Sequence, residues 1–304
     1  MAAVALTALA VLSGCGVGPG GPIRPALPPQ SGPVDCPGAM PELRDAATPA
    51  PMPAEQPLPA GVAPVDVVQC TSATVDGADG RWLVAVATHY GGDYAALLAA
   101  LAAPDDVPSA GQACSAIGYL VPPLWLVAAD GAAILVHHPR EACGAPKHDV
   151  DDALAALAVT TTETTPIRLL VPKAAVDTGC DAGWKYLPPS PRDDGTVSAV
   201  ATDEPAKACV YTAGADLGDG IREGTFARGR VLTAAEAAIA WTDAASAPAA
   251  AACEATPTAF GILADAGTTA GSAFYWIELD GCRRVYAQDG PARQATPALL
   301  ALFG

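Results

Sequence analysis

Residues 70–101 read CTSATVDGADGRWLVAVATHYGGDYAALLAAL, and 139 positions further on residues 209–240 read CVYTAGADLGDGIREGTFARGRVLTAAEAAIA. Each stretch opens on a cysteine and passes through an Asp/Gly turn: Asp76-Gly77-Ala78-Asp79-Gly80 or Asp216-Leu217-Gly218-Asp219-Gly220. Asp-Gly favours the positive-φ positions of hairpin turns, so two strands are expected around each. An Ala-rich run then follows a good N-cap residue, Asp93 or Thr233, which predicts a helix. Leu97, Leu98 and Leu101 repeat at the spacing of one core-facing stripe.

The correspondence continues outward. Cys70, Cys114 and Cys143 are separated by 44 and 29 residues, and so are Cys209, Cys253 and Cys282. After Cys114 the pattern becomes strand-like: Leu124-Trp125-Leu126-Val127, the turn Asp130-Gly131, then Ala132 to His138. After Cys253 come Phe260 to Leu263, a Gly/Thr turn, and Phe274 to Leu279. Short terminal helices are expected over 150–157 and 297–303, and VTTTETTPIRLLV (159–171) reads in part as a joining strand. Upstream, CPGAMPEL begins at Cys36 and CDAGWKYL at Cys180. The expected fold is α+β: two tandem copies of a small antiparallel-sheet-plus-helix module, each stapled by two disulfides. The boundaries are 36–158 for the first module and 159–304 for the second. Aromatic residues are only 5% of the chain, so the cores rest on Ala, Val and Leu, and cross-links would compensate.

Zinc ligands come in close pairs, whereas no two of Cys36, Cys70, Cys114, Cys143, Cys180, Cys209, Cys253 and Cys282 are nearer than 29 positions. An even set of eight fits disulfides in an oxidising compartment. If both modules pair alike and internally, three schemes remain. The expected one is sequential: Cys36–Cys70, Cys114–Cys143, Cys180–Cys209 and Cys253–Cys282.

The ninth cysteine stands apart. MAAVALTALAVLSGC (1–15) carries an 11-residue apolar run, Ala2 to Leu12, the length of a signal-peptide core and too short to span a bilayer. Leu12-Ser13-Gly14-Cys15 resembles the lipobox of bacterial lipoproteins, which implies lipidation at Cys15 and removal of 1–15, although no Lys or Arg precedes the apolar run. Residues 16–35 are rich in Gly and Pro and read as a flexible tether. Four lysines, no asparagine and abundant Ala point to a high-GC bacterium of actinobacterial type. The net charge of −16 supplies no basic footprint for nucleic acid. It would also hold the body off an anionic membrane surface. The expected location is the extracytoplasmic face of the membrane, anchored through Cys15, with a protein partner at the cell envelope.

Candidate chemistry is sparse. The histidines are His89, His137, His138 and His148. His137 and His138, adjacent on an expected strand, point to opposite faces and do not suit one metal. Asp149, Asp151 and Asp152 sit at a helix start, where they complement the macrodipole. Asp105-Asp106 and Asp193-Asp194 are further carboxylate pairs. The Asp/Gly turns each offer two carboxylates, too few for calcium. Trp82, Trp125, Trp184, Trp241 and Trp276 could line a ligand site, but four fall on expected strands or a helix, where burial in the core is the default. No nucleophile elbow, dinucleotide fingerprint or P-loop is present, so no enzyme, cofactor or metal is expected.

The run Pro122 to Val127 with Asp130-Gly131, Pro139 and Cys143-Gly144 resembles a module of uncharacterised actinobacterial lipoproteins. So do Glu278-Leu279-Asp280-Gly281-Cys282-Arg283-Arg284 and Gly179-Cys180 with Trp184-Lys185. That resemblance implies location and architecture only. The order strand, helix, Cys, Pro, strand, Asp-Gly, strand, Cys is also similar to subtilisin-inhibitor-like proteins, which have a further cysteine in their helix. This second likeness implies an exposed inhibitory loop just after Cys114 (Ser115 to Tyr119) or after Cys253. The expected function is a non-enzymatic, lipid-anchored binding or structural protein, with a protease inhibitor or loop-presenting interaction module as the alternative.

Overall fold

A computed structural model describes residues 30–31, 34–40, 43, 54–115, 117–189, 205–266, 274–287 and 290–304. The expectations for Cys15, the apolar leader, most of the tether, Asp193-Asp194 and the Gly/Thr turn lie outside these residues. The contacts divide the chain into two compact units. One takes Met1–Asp35, Pro51–Gln69 and His89–Thr160, and the other takes Cys36–Ala50, Cys70–Thr88 and Thr161–Gly304.

In chain order, β1 (Gln30–Ser31) and α1 (Cys36–Ala39) precede the long hairpin of β2 (Pro64–Gly77) and β3 (Gly80–Gly91). Then come α2 (Ala95–Leu101), β4 (Leu124–Ala128), β5 (Ala132–Val136), α3 (His148–Ala155) and β6 (Ala158–Pro172). After α4 (Lys173–Thr178) and β7 (Gly183–Tyr186), a second long hairpin joins β8 (Ala206–Asp216) to β9 (Arg222–Leu232). The chain ends with α5 (Ala234–Ser246), β10 (Ala259–Asp265), β11 (Phe274–Glu278), β12 (Arg284–Ala287), β13 (Arg293–Gln294) and α6 (Pro297–Ala301). The fold is α+β, with two antiparallel sheets ordered β1-β5-β4-β2-β3-β6 and β13-β12-β11-β10-β8-β9-β7.

The central four strands of each sheet have the same order, and the register matches as well. β2 pairs with β4 through Val67–Leu126, Val68–Trp125 and Gln69–Leu124. β8 pairs with β10 through Ala206–Asp265, Lys207–Ala264 and Ala208–Leu263, every residue displaced by 139. The hairpin pairs Leu124–Val136 and Trp125–Leu135 recur as Leu263–Tyr275 and Ala264–Phe274 at the same displacement. A slip of one residue would turn every side chain to the other face, so shared register means shared facing. Val67, Leu101, Leu124 and Val136 meet α2 and α3 in one core. Their counterparts Ala206, Ala240, Leu263 and Tyr275 lie in the core beneath α5 and α6. Each buried Leu, Val or aromatic side chain contributes about 1.5–3 kcal/mol.

Local chemistry explains the helix ends. Thr233 makes a full capping box with Glu236: the Glu236 N–H donates to Thr233 Oγ1, and Glu236 Oε2 accepts from the Thr233 N–H. Asp93 accepts from the Ala95 N–H at 3.0 Å, but the cap position falls on Tyr94, one residue beyond the expected cap. In the second sheet Gly261 lies where an added Cβ would come within 2.5 Å of the Phe303 ring, so its small size lets α6 close on β10.

Four disulfides join Cys36–Cys70, Cys114–Cys143, Cys180–Cys209 and Cys253–Cys282, the sequential scheme, with Cα separations of 5.2 to 5.8 Å. Cys36, Cys70, Cys180 and Cys209 are buried, whereas Cys114 and Cys253 are exposed.

Candidate functional site

The two sheets differ in how the chain travels from helix to next strand. Between α2 and β4 it runs irregularly over residues 102–123, as Pro104, Pro108, Pro122 and Pro123, with Gly111 and Gly118, disfavour any helix or ladder. Almost the whole segment is exposed, including Val107 (86%), Ile117 (64%), Tyr119 (42%) and Leu120 (90%). Leaving such side chains in water forgoes the gain of burying them. Residue 116 of the segment is not described.

This loop is held at two places. Cys114–Cys143 pins its middle, with Gln112 Nε2 donating to Cys143 Sγ at 3.3 Å. Its base is clasped by charged groups. Asp105 accepts from His137 Nε2 at 3.0 Å and from the Arg140 N–H at 2.7 Å, while the Asp106 N–H donates to Arg140 O at 2.8 Å. His137 Nδ1 faces Glu55 Oε2 at 3.0 Å. Lys147 Nζ donates to Asp106 Oδ1 at 2.6 Å and to Pro104 O at 2.9 Å. The β4–β5 ladder stops at Val136, and the His137 N–H donates to Gln56 O, so the chain beside Glu55 lies against the strand end.

Burial works against a charge on the His137 ring, but the Asp105 and then the Glu55 carboxylate outweigh it and hold its pKa above the ordinary value. Asp105 is likewise partly desolvated. The His137 ring and the Arg140 N–H more than offset this and lower its pKa. The neighbouring His138 is 3% exposed, its Nε2 has no partner, and burial lowers its pKa.

The other sequence candidates serve the fold. His89 pairs with Asp66 at 2.7 Å, and His148 opens α3, whose first turn carries Asp149 and Asp151. In the first Asp/Gly turn Asp76 binds Arg81, and Asp79 accepts from Trp82 Nε1 at 2.7 Å. In the second, Asp216 accepts from the Gly218 N–H. Trp125, Trp241 and Trp276 are buried, and Trp184 packs edge-on against Phe274. Among the described residues no three His, Cys, Asp or Glu side chains are grouped to hold a metal. Sequence reasoning did not single out Glu55, Arg140 or Lys147. Glu55 lies 82 residues from His137, and no local spacing signals that meeting.

The corresponding passage of the second sheet is different. α5 continues to Ser246 and β10 begins at Ala259, leaving 247–258. Gln294 and Arg293 donate to Pro248 O and Ala247 O, and the Thr258 N–H donates to Asp280 Oδ1 at 2.7 Å. The Glu278 to Arg284 motif organises the adjoining turn. Glu278 is fully buried and accepts from Arg284 Nη2 at 2.6 Å, from Arg284 Nε at 2.9 Å, and from Tyr186 Oη at 2.7 Å. Burial and then that carboxylate push the Tyr186 phenol up to about 12.

Compared with protein-family models, curated proteins and solved structures, the chain matches none of them. The four disulfides indicate an oxidising, extracytoplasmic environment. Among the described residues no helix is long and apolar enough to cross a membrane.

Proposed function

We propose that this chain is a non-enzymatic, lipid-anchored binding protein of the cell envelope that engages a protein partner through residues 102–123. One observation carries this reading: a disulfide-pinned loop that displays Val107, Ile117, Tyr119 and Leu120 to solvent. His89, His137, Asp76, Asp79 and Asp216 are engaged in the fold's own bonds, which supports a binding rather than a catalytic role. The leader and lipobox support export and anchoring through Cys15, and the shared strand register supports an internal duplication in an actinobacterial lipoprotein. A photo-crosslinking residue placed at Leu120 in cells should yield protein adducts, while one at Thr256 should not. Equal labelling at both positions would remove the reading. A Cys15→Ala chain that stays membrane-bound would overturn the anchor.

A narrower reading is protease inhibition. The exposed loop follows Cys114 between helix and hairpin, as the likeness to subtilisin-inhibitor-like proteins implies. Titrating the chain from residue 16 onward into subtilisin and into trypsin tests it. Stoichiometric inhibition would support it, and full protease activity at molar excess would eliminate it.

A further inference from the structure

We propose that His137 is a pH-dependent latch for the base of loop 102–123. The inference rests on reading that loop as the contact surface and concerns how its presentation is controlled. The geometry is a single ring between two carboxylates from distant parts of the chain, Glu55 at Nδ1 and Asp105 at Nε2, each 3.0 Å away. Only the imidazolium has an N–H on both nitrogens, so only the protonated ring donates to both. The neutral ring keeps one N–H and turns a lone pair toward the other carboxylate, so loss of the proton breaks one side of the clasp. On the Asp105 side, the broken contact is one that ties the loop base to the sheet.

The surrounding charges set the direction. From the chain before β2 comes Glu55, and from the chain after α2 come Asp105 and Asp106. From the chain after β5 come His138 and Arg140, and from the start of α3 come Lys147 and Asp151. Asp105 and Glu55 favour the charged His137 ring, as the raised pKa records. His138 is buried, and its pKa is shifted the other way, downward. A raised folded-state pKa means that the His137 contribution is fully present below the ordinary value of 6.5 and fades as pH climbs through the raised value. Toward acid the latch fails separately, once the lowered pKa of Asp105 is crossed. The loop is therefore held most firmly between those two limits. The Arg140 backbone pair and Lys147 do not depend on the ring's proton, so the base opens more often while the loop stays attached.

Hydrogen exchange with mass spectrometry on the full chain, corrected for intrinsic pH dependence, tests the latch without any partner. Exchange at the Asp106 amide, which donates to Arg140 O, should rise about tenfold as pH passes upward through the His137 titration, and His137→Leu should give the high-pH rate at every pH. The titration is assigned by NMR of the imidazole Cε1 proton, and Asp105→Asn should lower the His137 pKa. That second variant keeps the test valid if His137→Leu folds poorly. A pH-independent corrected rate in the wild type, or a His137 pKa unmoved by Asp105→Asn, overturns the latch. Neither result touches the contact reading, which the Leu120 crosslink decides alone.

Discussion

The loops 102–123 and 247–258 hold equivalent places in two sheets of the same strand order, each pinned by a disulfide of separation 29. The same number of residues separates the flanking cysteines, yet the chain is spent differently. In the second sheet it goes into a longer α5 and an earlier β10, and the short remainder, APAAAACEATPT, has no apolar side chain larger than proline. In the first sheet α2 stops at Leu101, and the released chain carries Val107, Ile117, Tyr119 and Leu120 into solvent. A common scaffold can thus fix where a loop emerges while helix length and capping decide how much of it is presented. The Thr233–Glu236 capping box supports the longer helix, and α2 has no equivalent.

The two turns beneath these loops also differ, and the largest expected effect tests that difference. The second sheet closes its turn with the buried Glu278–Arg284 pair, the first with the half-exposed Asp105–His137–Glu55 clasp. Arg284→Ala leaves a fully buried carboxylate uncompensated and should cost about 3–5 kcal/mol in urea unfolding. His137→Leu, at a partly exposed site, should cost about 1 kcal/mol or less. Equal costs would erase the distinction between a structural turn and an adjustable one. Next in size, Thr233→Ala should destabilise by about 1 kcal/mol, against a few tenths for Asp93→Ala, because only the first breaks a regular cap. Smallest of all, Val107→Asp and Ile117→Asp should alter stability by less than about 0.5 kcal/mol while abolishing the crosslink from position 120. A large loss of stability would mean that these side chains are packed rather than presented.

Much of this architecture was readable beforehand because it depends on short-range signals. Asp-Gly turns, Ala-rich runs behind caps and alternating strands located both long hairpins, α2, α5 and the β4–β5 and β10–β11 hairpins. The cysteine intervals narrowed the pairing to three schemes, and the sequential one expected among them is the one formed. What escaped notice depends on contacts distant in sequence. α1, α4, β12 and β13 are too short to carry a periodic signal, and β7 is recognisable only through its pairing with β9. His137 and His138 were expected on the strand, but β5 ends at Val136, and beyond it the structure sets His137 among carboxylates and buries His138. That Glu55 would reach His137 was not legible, because an irregular Pro-rich stretch has no register from which to infer its partner. Asp105 and Asp106 read only as a carboxylate pair. Their role appears once Arg140 and Lys147 are brought alongside.

The most direct test of the contrast between the loops is hydrogen exchange measured over 102–123 and 247–258 in the same experiment at pH 6. Most amides of 107–123 are predicted to exchange at nearly unprotected rates, with partial protection at Asp106, whose N–H donates to Arg140 O, and at Ser109 and Gln112, which bond each other. The Ala247 and Ala250 amides, which donate to Asp243 O and Ala292 O, should exchange at least about tenfold more slowly than their intrinsic rates. Equal protection of the two loops would contradict the claim that one sheet presents its loop and the other binds it down.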